Sequence, residues 1–367
     1  MDKYTVTTGT GLNFDSDATW SPISIRSDAF QWTASGSGTD EYYLQASGGG
    51  NPSTVLSGLV EPANVQAAGS ALTAGTAGSL AVSSWDWADN DLLGYSTIYV
   101  RLGSGLADPD AQVDGYVTFT DSPNANDDVH FRGSVSIDGG DFSSIELDDI
   151  IFEPGFSGTV GDALNPLKLD MADGDRMEIT ATGVIYLDLG TAACSPKIYR
   201  TASASNGAAG VYLVNCTALN DLFITGGTVR LEGSSVDDMY ISGGATVVGD
   251  ADSACTGDIH NNGGTITWGG TGVDIFNDGG TTTINGTDAW TNVSCSEGTI
   301  YYNSTGTLTN AIAVNTGTID LTDSSAGQTV TNVKVEATGR IVYDSAHTTI
   351  GSVPTGDGPK QIKGGTN

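Results

Sequence analysis

From Leu222 to Tyr343 hydrophobic and polar residues alternate in short runs, and the runs keep a constant phase about a recurring glycine. Seven glycines, Gly227, Gly244, Gly264, Gly280, Gly298, Gly317 and Gly339, follow one another at intervals of 17, 20, 16, 18, 19 and 22 residues. Five residues before the glycine stand Leu222, Met239, Ile259, Ile275, Val293 and Ile312, and Val333 joins the series with a slip of one. Two residues after it come Val229, Thr246, Ile266, Thr282, Ile300, Ile319 and Ile341; four after it come Leu231, Val248, Trp268, Ile284, Tyr302, Leu321 and Tyr343. Positions spaced by two share one face of a strand. Each unit therefore predicts two short strands joined at a bend, where glycine accepts a positive φ without a Cβ clash.

A bend repeated about every 19 residues predicts a coil that stacks like on like, a right-handed parallel β-helix. An antiparallel sandwich also carries closely spaced turn signals, but hairpins would not keep one phase through seven units. The interior column is expected to hold Leu222, Met239, Ile259, Ile275, Val293 and Ile312. One coil cannot bury its own inward side chains, so stability has to come from neighbours.

The first 121 residues lack this ladder and are dense in aromatics, holding 13 of the 28, among them Trp20, Phe30, Trp32, Trp85, Trp87, Tyr95, Tyr99 and Phe119. Tyr42–Ala46 and Ser96–Leu102 alternate as strands, while the runs Ser47–Ser53 and Ala67–Leu80 read as loops or turns. Residues 1–121 are expected to form a small β module with an aromatic core. The polar stretch Asp121–Asp128 is the expected joint, and residues 122–350 the β-helix, of about eleven coils and on the order of 50 Å long. The stretch 351–367, with Pro354, Pro359, Lys360 and Lys363, loses the period and reads as a tail.

Composition narrows the function classes. The chain has 367 residues, 51 glycines and a net charge of −31, and from Leu231 to Val333 it has no Lys or Arg. Such a surface repels phosphate backbones, which argues against a nucleic-acid partner. No run reaches the ~18 apolar residues of a membrane span, and the first ten residues show no leader pattern, so a soluble chain without a membrane partner is expected.

Candidate chemistry is sparse. Cys194, Cys216, Cys255 and Cys295 lack zinc-ligand spacing and read as packing thiols, with a disulfide between coils left open. His130, His260 and His347 are scattered, and His260 falls in an outward phase. Asp274, Asp278 and Asp288 lie close in sequence, with Asp320 and Asp323 further on, and are the acids a glycan-cleaving β-helix would use. They read as solvated surface, since no base or charge clamp accompanies them. Gly269–Phe276 matches a calcium-binding nonapeptide, but its neighbours do not repeat it as such a site requires. Asn215, Asn285, Asn292 and Asn303 begin Asn-x-Ser/Thr triplets and read as turn residues. No catalytic, cofactor-binding or metal-binding residue is assigned.

The text Ser27–Gly50, with Ser79–Leu102, resembles a module of virion-associated proteins of tailed bacteriophages, and Asp127–Gly140 with the ladder after it resembles their β-helical parts. The resemblance implies a non-enzymatic structural protein, a capsid decoration protein or head fibre on the virion exterior, assembled in the host cytoplasm. Its expected partners are the major capsid protein or other virion proteins, host-surface glycans, and further copies of itself in a trimer. A tail fibre or tailspike that binds or cleaves host polysaccharide is one alternative, and a β-helical surface adhesin another. The aromatic module is expected to meet the shell while the acidic rod projects.

Overall fold

The structure, a computed structural model, describes residues 2–14, 20, 23–24, 32–45, 61–62, 64–93, 97–103, 108–112, 116–120, 122–123, 125–199, 210–323, 327–352 and 361–365. Phe30, Tyr95, the Ser47–Ser53 run, Pro354, Pro359 and Lys360 lie outside the described residues. The chain is nearly all β and divides into two compact units, residues 1–6 with 12–129 and residues 7–11 with 130–367.

Among the described residues, the first unit contains two small sheets. In one, Val117–Thr120 lies between Ile23–Ser24 and Asn64–Ala67, both antiparallel to it. In the other, Thr97–Arg101 is flanked antiparallel by Tyr42–Gln45 and Ser84–Trp87. Trp32, Leu44, Val65, Trp85, Ile98 and Phe119 are buried in a common core. The Ala67–Leu80 run expected as loop contains strands Ser70–Ala71 and Thr73–Ala74. Ala68 and Gly69, at φ +50° and +74°, turn the chain so that Ser70 pairs back with Ala67. Two consecutive positive-φ residues match the right-handed twist of a hairpin.

The second unit is a parallel β-solenoid of about 11 turns. Each coil has two principal sides and a shorter third. Leu222–Gly226, Met239–Ser242, Asp258–Trp268, Asp274–Ile284 and Trp290–Tyr302 stack in parallel along the first side, and the last three continue past the bend onto the second. Thr228–Glu232 and Thr246–Gly249 precede them on the second side. On the third side Ser235–Val236 pairs with Ala254–Cys255. Residues 7–11 extend the stack at its N-terminal end, where Ser134 N–H donates to Thr7 O and Ser136 N–H to Gly9 O, both at 2.8 Å.

The interior column runs Leu222, Met239, Ile259, Ile275, Val293, all fully buried. The next member is Ala311, not Ile312, which stands in the outward row opposite Ser294. The cause is the bend. In the coils before it the turn is made at Gly280 and Gly298, at φ +74° and +76°, whereas here Asn315 takes the left-handed conformation, at φ +51°, and the bend is one residue longer. Gly317 is needed instead for room, since a Cβ would lie 2.1 Å from Cys295 O. The slip seen at Val333 therefore begins one coil earlier.

A similar shift follows Gly243 and Gly244, which both take positive φ. Val247 and Gly249, rather than Thr246 and Val248, face inward and continue to Ile266 and Trp268. Gly249 matters because a Cβ there would lie 2.4 Å from the Trp268 ring. The missing side chain in one coil accommodates the indole of the next, which keeps the interior close-packed. At the C-terminal end Gln361–Gly365 pairs in parallel with Arg340–Asp344, and Gly351 and Ser352 belong to the strand Thr348–Ser352. Repeat geometry thus extends into the stretch read as a tail, with Ile362 in register with Ile341.

Candidate binding face

The interior phase dictates the exterior one. Because Leu222, Met239, Ile259 and Ile275 point inward, the residues on either side of each point outward and fall into rows along the axis. One row reads Lys197, Phe223, Tyr240, His260, Phe276, Ser294, Ile312, Lys334. Its four rings stack nearly parallel, with centroids 5.0, 4.9 and 5.2 Å apart and interplanar angles of 9°, 3° and 14°. These are favourable offset-stacked separations. On the second side Tyr186 and Tyr212 stack in the same way at 4.0 Å.

Two residues before each ring lies an aspartate, giving the row Asp221, Asp238, Asp258, Asp274, which continues as Asn292, Asn310, Asn332 and Ser352. Its two halves behave differently. In the amide half Asn310 Nδ2 donates to Asn292 Oδ1 at 2.8 Å, Asn332 Nδ2 to Asn310 Oδ1 at 3.0 Å, and Ser352 Oγ to Asn332 Oδ1 at 2.8 Å. In the acid half neighbouring carboxylates repel. Burial, followed by the charges of Asp274 and Asp238, holds the Asp258 carboxyl above its ordinary range. Asp221 is raised by burial and by Asp238 and Asp237. Asp238 Oδ1 accepts from Asp258 N–H at 2.7 Å, and His260 Nε2 lies 4.0 Å from Asp258 Oδ2.

The acids expected from sequence are not brought together. Asp274 accepts from Asn292 N–H at 2.9 Å and from Asn292 Nδ2 at 2.6 Å. Asp278 accepts from Ser296 Oγ at 2.5 Å. Asp320 lies on the second side, in register with Tyr301, and accepts from Thr322 Oγ1 at 2.6 Å. Asp288 sits at a corner, where its carbonyl accepts from Ser304 Oγ, and Asp323 is exposed. The glycines of the nonapeptide-like stretch make room for packing: a Cβ on Gly270 would lie 1.9 Å from Ser253 O, and one on Gly272 would lie 2.2 Å from the Trp290 ring. Among the described residues no group of three or more His, Cys, Asp or Glu is placed to hold a metal ion.

His260 stands outward as expected, inside the ring stack. His130 Nδ1 lies 2.9 Å from Glu153 Oε1 and His347 Nδ1 lies 3.1 Å from Asp344 Oδ2. All four cysteines are buried free thiols. Burial pushes Cys194, Cys216 and Cys255 up to about 12 and also raises Cys295. They are protonated packing groups at neutral pH.

Sequence reasoning missed a buried polar ladder at the bend. Asn261 Nδ2 donates to Asn277 Oδ1 at 2.8 Å and to Thr282 Oγ1 at 3.0 Å, and Asn277 Nδ2 donates to Glu297 O at 2.7 Å. Asn261, Asn277 and Thr282 are each 0–1% exposed. The signal was present, since Asn261 and Asn277 occupy the inward phase held by Ile224 and Ile241 in earlier coils.

No protein-family model matches this chain, and no curated protein or solved structure matches it. Among the described residues no helix is long and apolar enough to cross a membrane.

Proposed function

We propose that the protein is a structural, non-enzymatic virion component of the capsid-decoration or head-fibre type. It meets the shell through its N-terminal aromatic unit and presents the acidic solenoid to solvent. The observation that carries this reading is that long stretches of the outward rows are committed to neighbouring coils: from Phe223 to Phe276 ring faces stack on ring faces, and Asn310 bonds to Asn292 and Asn332 to Asn310. Side chains used in this way stiffen a rod. The net charge of −31 favours solubility and keeps crowded copies apart. The resemblance of Ser27–Gly50 and Ser79–Leu102 to tailed-phage virion modules supports the placement. The test is quantitative mass spectrometry and electron cryomicroscopy of virions encoding the chain. Many copies spread over the shell are expected, and a handful confined to the tail would overturn the decoration role.

One observation favours a second reading, a glycan-cleaving fibre. Asp238, Asp258 and Asp274 follow one another at the coil rise of ~4.8 Å, close to the ~5–5.5 Å of a retaining carboxylate pair. The raised Asp258 carboxyl suits an acid. New reducing ends released from host polysaccharide, and lost in Asp258→Asn, would promote this reading over the first.

A further inference from the structure

The ring stack on the first side stops short. At its N-terminal end Phe223 is followed in register by Lys197, a side chain long enough to cover a phenyl face. At the other end Phe276 is followed by Ser294 and then by Ile312. A serine side chain is too short to cover the ring. Two coil rises, ~9.6 Å, separate the backbone positions of Phe276 and Ile312. The free face of Phe276 therefore looks along the axis, over Ser294, toward isoleucine, and all three residues are only half-buried. The space between them is that of one further rung.

We infer that this missing rung, walled by Phe276 and Ile312 and floored by Ser294, is a subsite for one pyranose ring of a glycan whose sugars are neutral or carry an amino group. Shape is the first reason. A slot one ring thick, between an aromatic face and an aliphatic side chain, suits a flat six-membered ring that stacks through its C–H face.

The rim is the second reason. On one flank Asn292 Nδ2 donates to Asp274 Oδ2 and Asn310 Nδ2 to Asn292 Oδ1, which leaves each amide a second N–H for a hydroxyl. On the other flank lie Ser296 and Asp278, joined by a hydrogen bond. A glycan threaded through the slot runs along the strand direction, so its adjacent sugars pass over these two flanks. Charge is the third reason. Asp274 and Asp278 border the slot, and the nearest cation in the row, Lys334, stands one coil beyond Ile312 and is paired with Glu336 at 2.8 Å, so a carboxylated sugar is repelled and an ammonium-bearing one attracted. The inference goes beyond the structural role and does not depend on it.

The test is isothermal titration calorimetry of the full chain with a β-1,4-linked glucosamine hexamer, with cellohexaose and with a galacturonate hexamer. Saturable binding of the glucosamine hexamer is expected, with weaker binding of cellohexaose and none of the galacturonate. Ser294→Tyr fills the slot with a rung from the protein itself. It should weaken binding more than about ten-fold, or 1.4 kcal/mol, while thermal unfolding occurs at the same or a higher temperature. Phe276→Ala should weaken binding comparably. The inference is overturned if neither the glucosamine hexamer nor cellohexaose binds at ~1 mM, if Ser294→Tyr leaves binding unchanged, or if galacturonate is preferred. Uptake of N-acetyltryptophanamide in place of both sugars would also overturn it, in favour of a protein partner's aromatic side chain.

Discussion

The two units bury apolar residues by different rules. Among the described residues of the N-terminal unit, packing rests on individual contacts. Glu41, 1% exposed, accepts from Gly78 N–H at 2.8 Å and Leu80 N–H at 3.3 Å, an arrangement not repeated among the described residues. In the solenoid the same environment recurs, so Ile275 is packed between Ile259 and Val293, residues of its own kind in its own register. Disturbance should therefore stay local in the first unit and spread along the axis in the second, as expected of a nearly one-dimensional stack.

The largest expected effect is at the solenoid interior. Ile275→Ala should cost about 2–5 kcal/mol in chemical unfolding. It should also raise amide exchange in the coils holding Ile259 and Val293, leaving exchange in Tyr42–Gln45 and Thr97–Arg101 unchanged. Equal loss of protection in both units would break the comparison. Next in size is Gly249→Ala, which forces a methyl against the Trp268 ring and should cost about 1–3 kcal/mol. Gly69→Ala, where a Cβ meets nothing within 4 Å, adds only the strain of its +74° φ.

Two buried polar sites sharpen the contrast. Asn277→Ala removes the acceptor shared by Asn261 Nδ2 and Thr282 Oγ1 and the donor to Glu297 O in the next coil, and should cost about 1–3 kcal/mol, with exchange rising on both sides of the substitution. Glu41→Ala removes the acceptor for Gly78 and Leu80 and should be felt only in the loop they belong to, as read by proteolysis.

The acid half of the outward row gives a smaller effect of opposite sign. A carboxyl raised in the folded state is protonated there before it is in the unfolded chain, so Asp221 and Asp258 cost stability at neutral pH. That cost is relieved as pH falls through their folded range toward the ordinary aspartate value. Asp258→Asn should thus stabilise by about 0.2–1 kcal/mol near pH 7, and the gain should vanish near pH 4 in paired thermal scans. Asp141 and Asp344, lowered mainly by hydrogen bonds from Ser143 and Ala346, shift stability the other way, losing it as pH falls.

Most of the solenoid was legible because one periodic constraint sets it. A fixed offset from a bend glycine identifies Leu222, Met239, Ile259, Ile275 and Val293 without any knowledge of their contacts. The same offset misplaced Ile312, because a left-handed residue need not be glycine and Asn315 lengthened the bend unannounced. It could not reveal that Gly249 exists for Trp268, since that contact joins two coils and no local pattern encodes it. The ring row was in plain sight one residue after each interior position, yet its meaning comes only from register, which places Phe223, Tyr240, His260 and Phe276 in one line. The acids behaved in the opposite way. Asp274, Asp278 and Asp320 are conspicuous in sequence, and register sends them to different partners.

That the outward rows act as inter-coil supports is tested most directly by a double-mutant cycle on Phe223 and Tyr240, whose rings lie 5.0 Å apart at 9°. Phe223→Ala, Tyr240→Ala and the double variant are unfolded in denaturant and the coupling energy taken from the three differences. The account predicts that the two rings stabilise one another by about 0.5–1.5 kcal/mol. Strictly additive effects would contradict it.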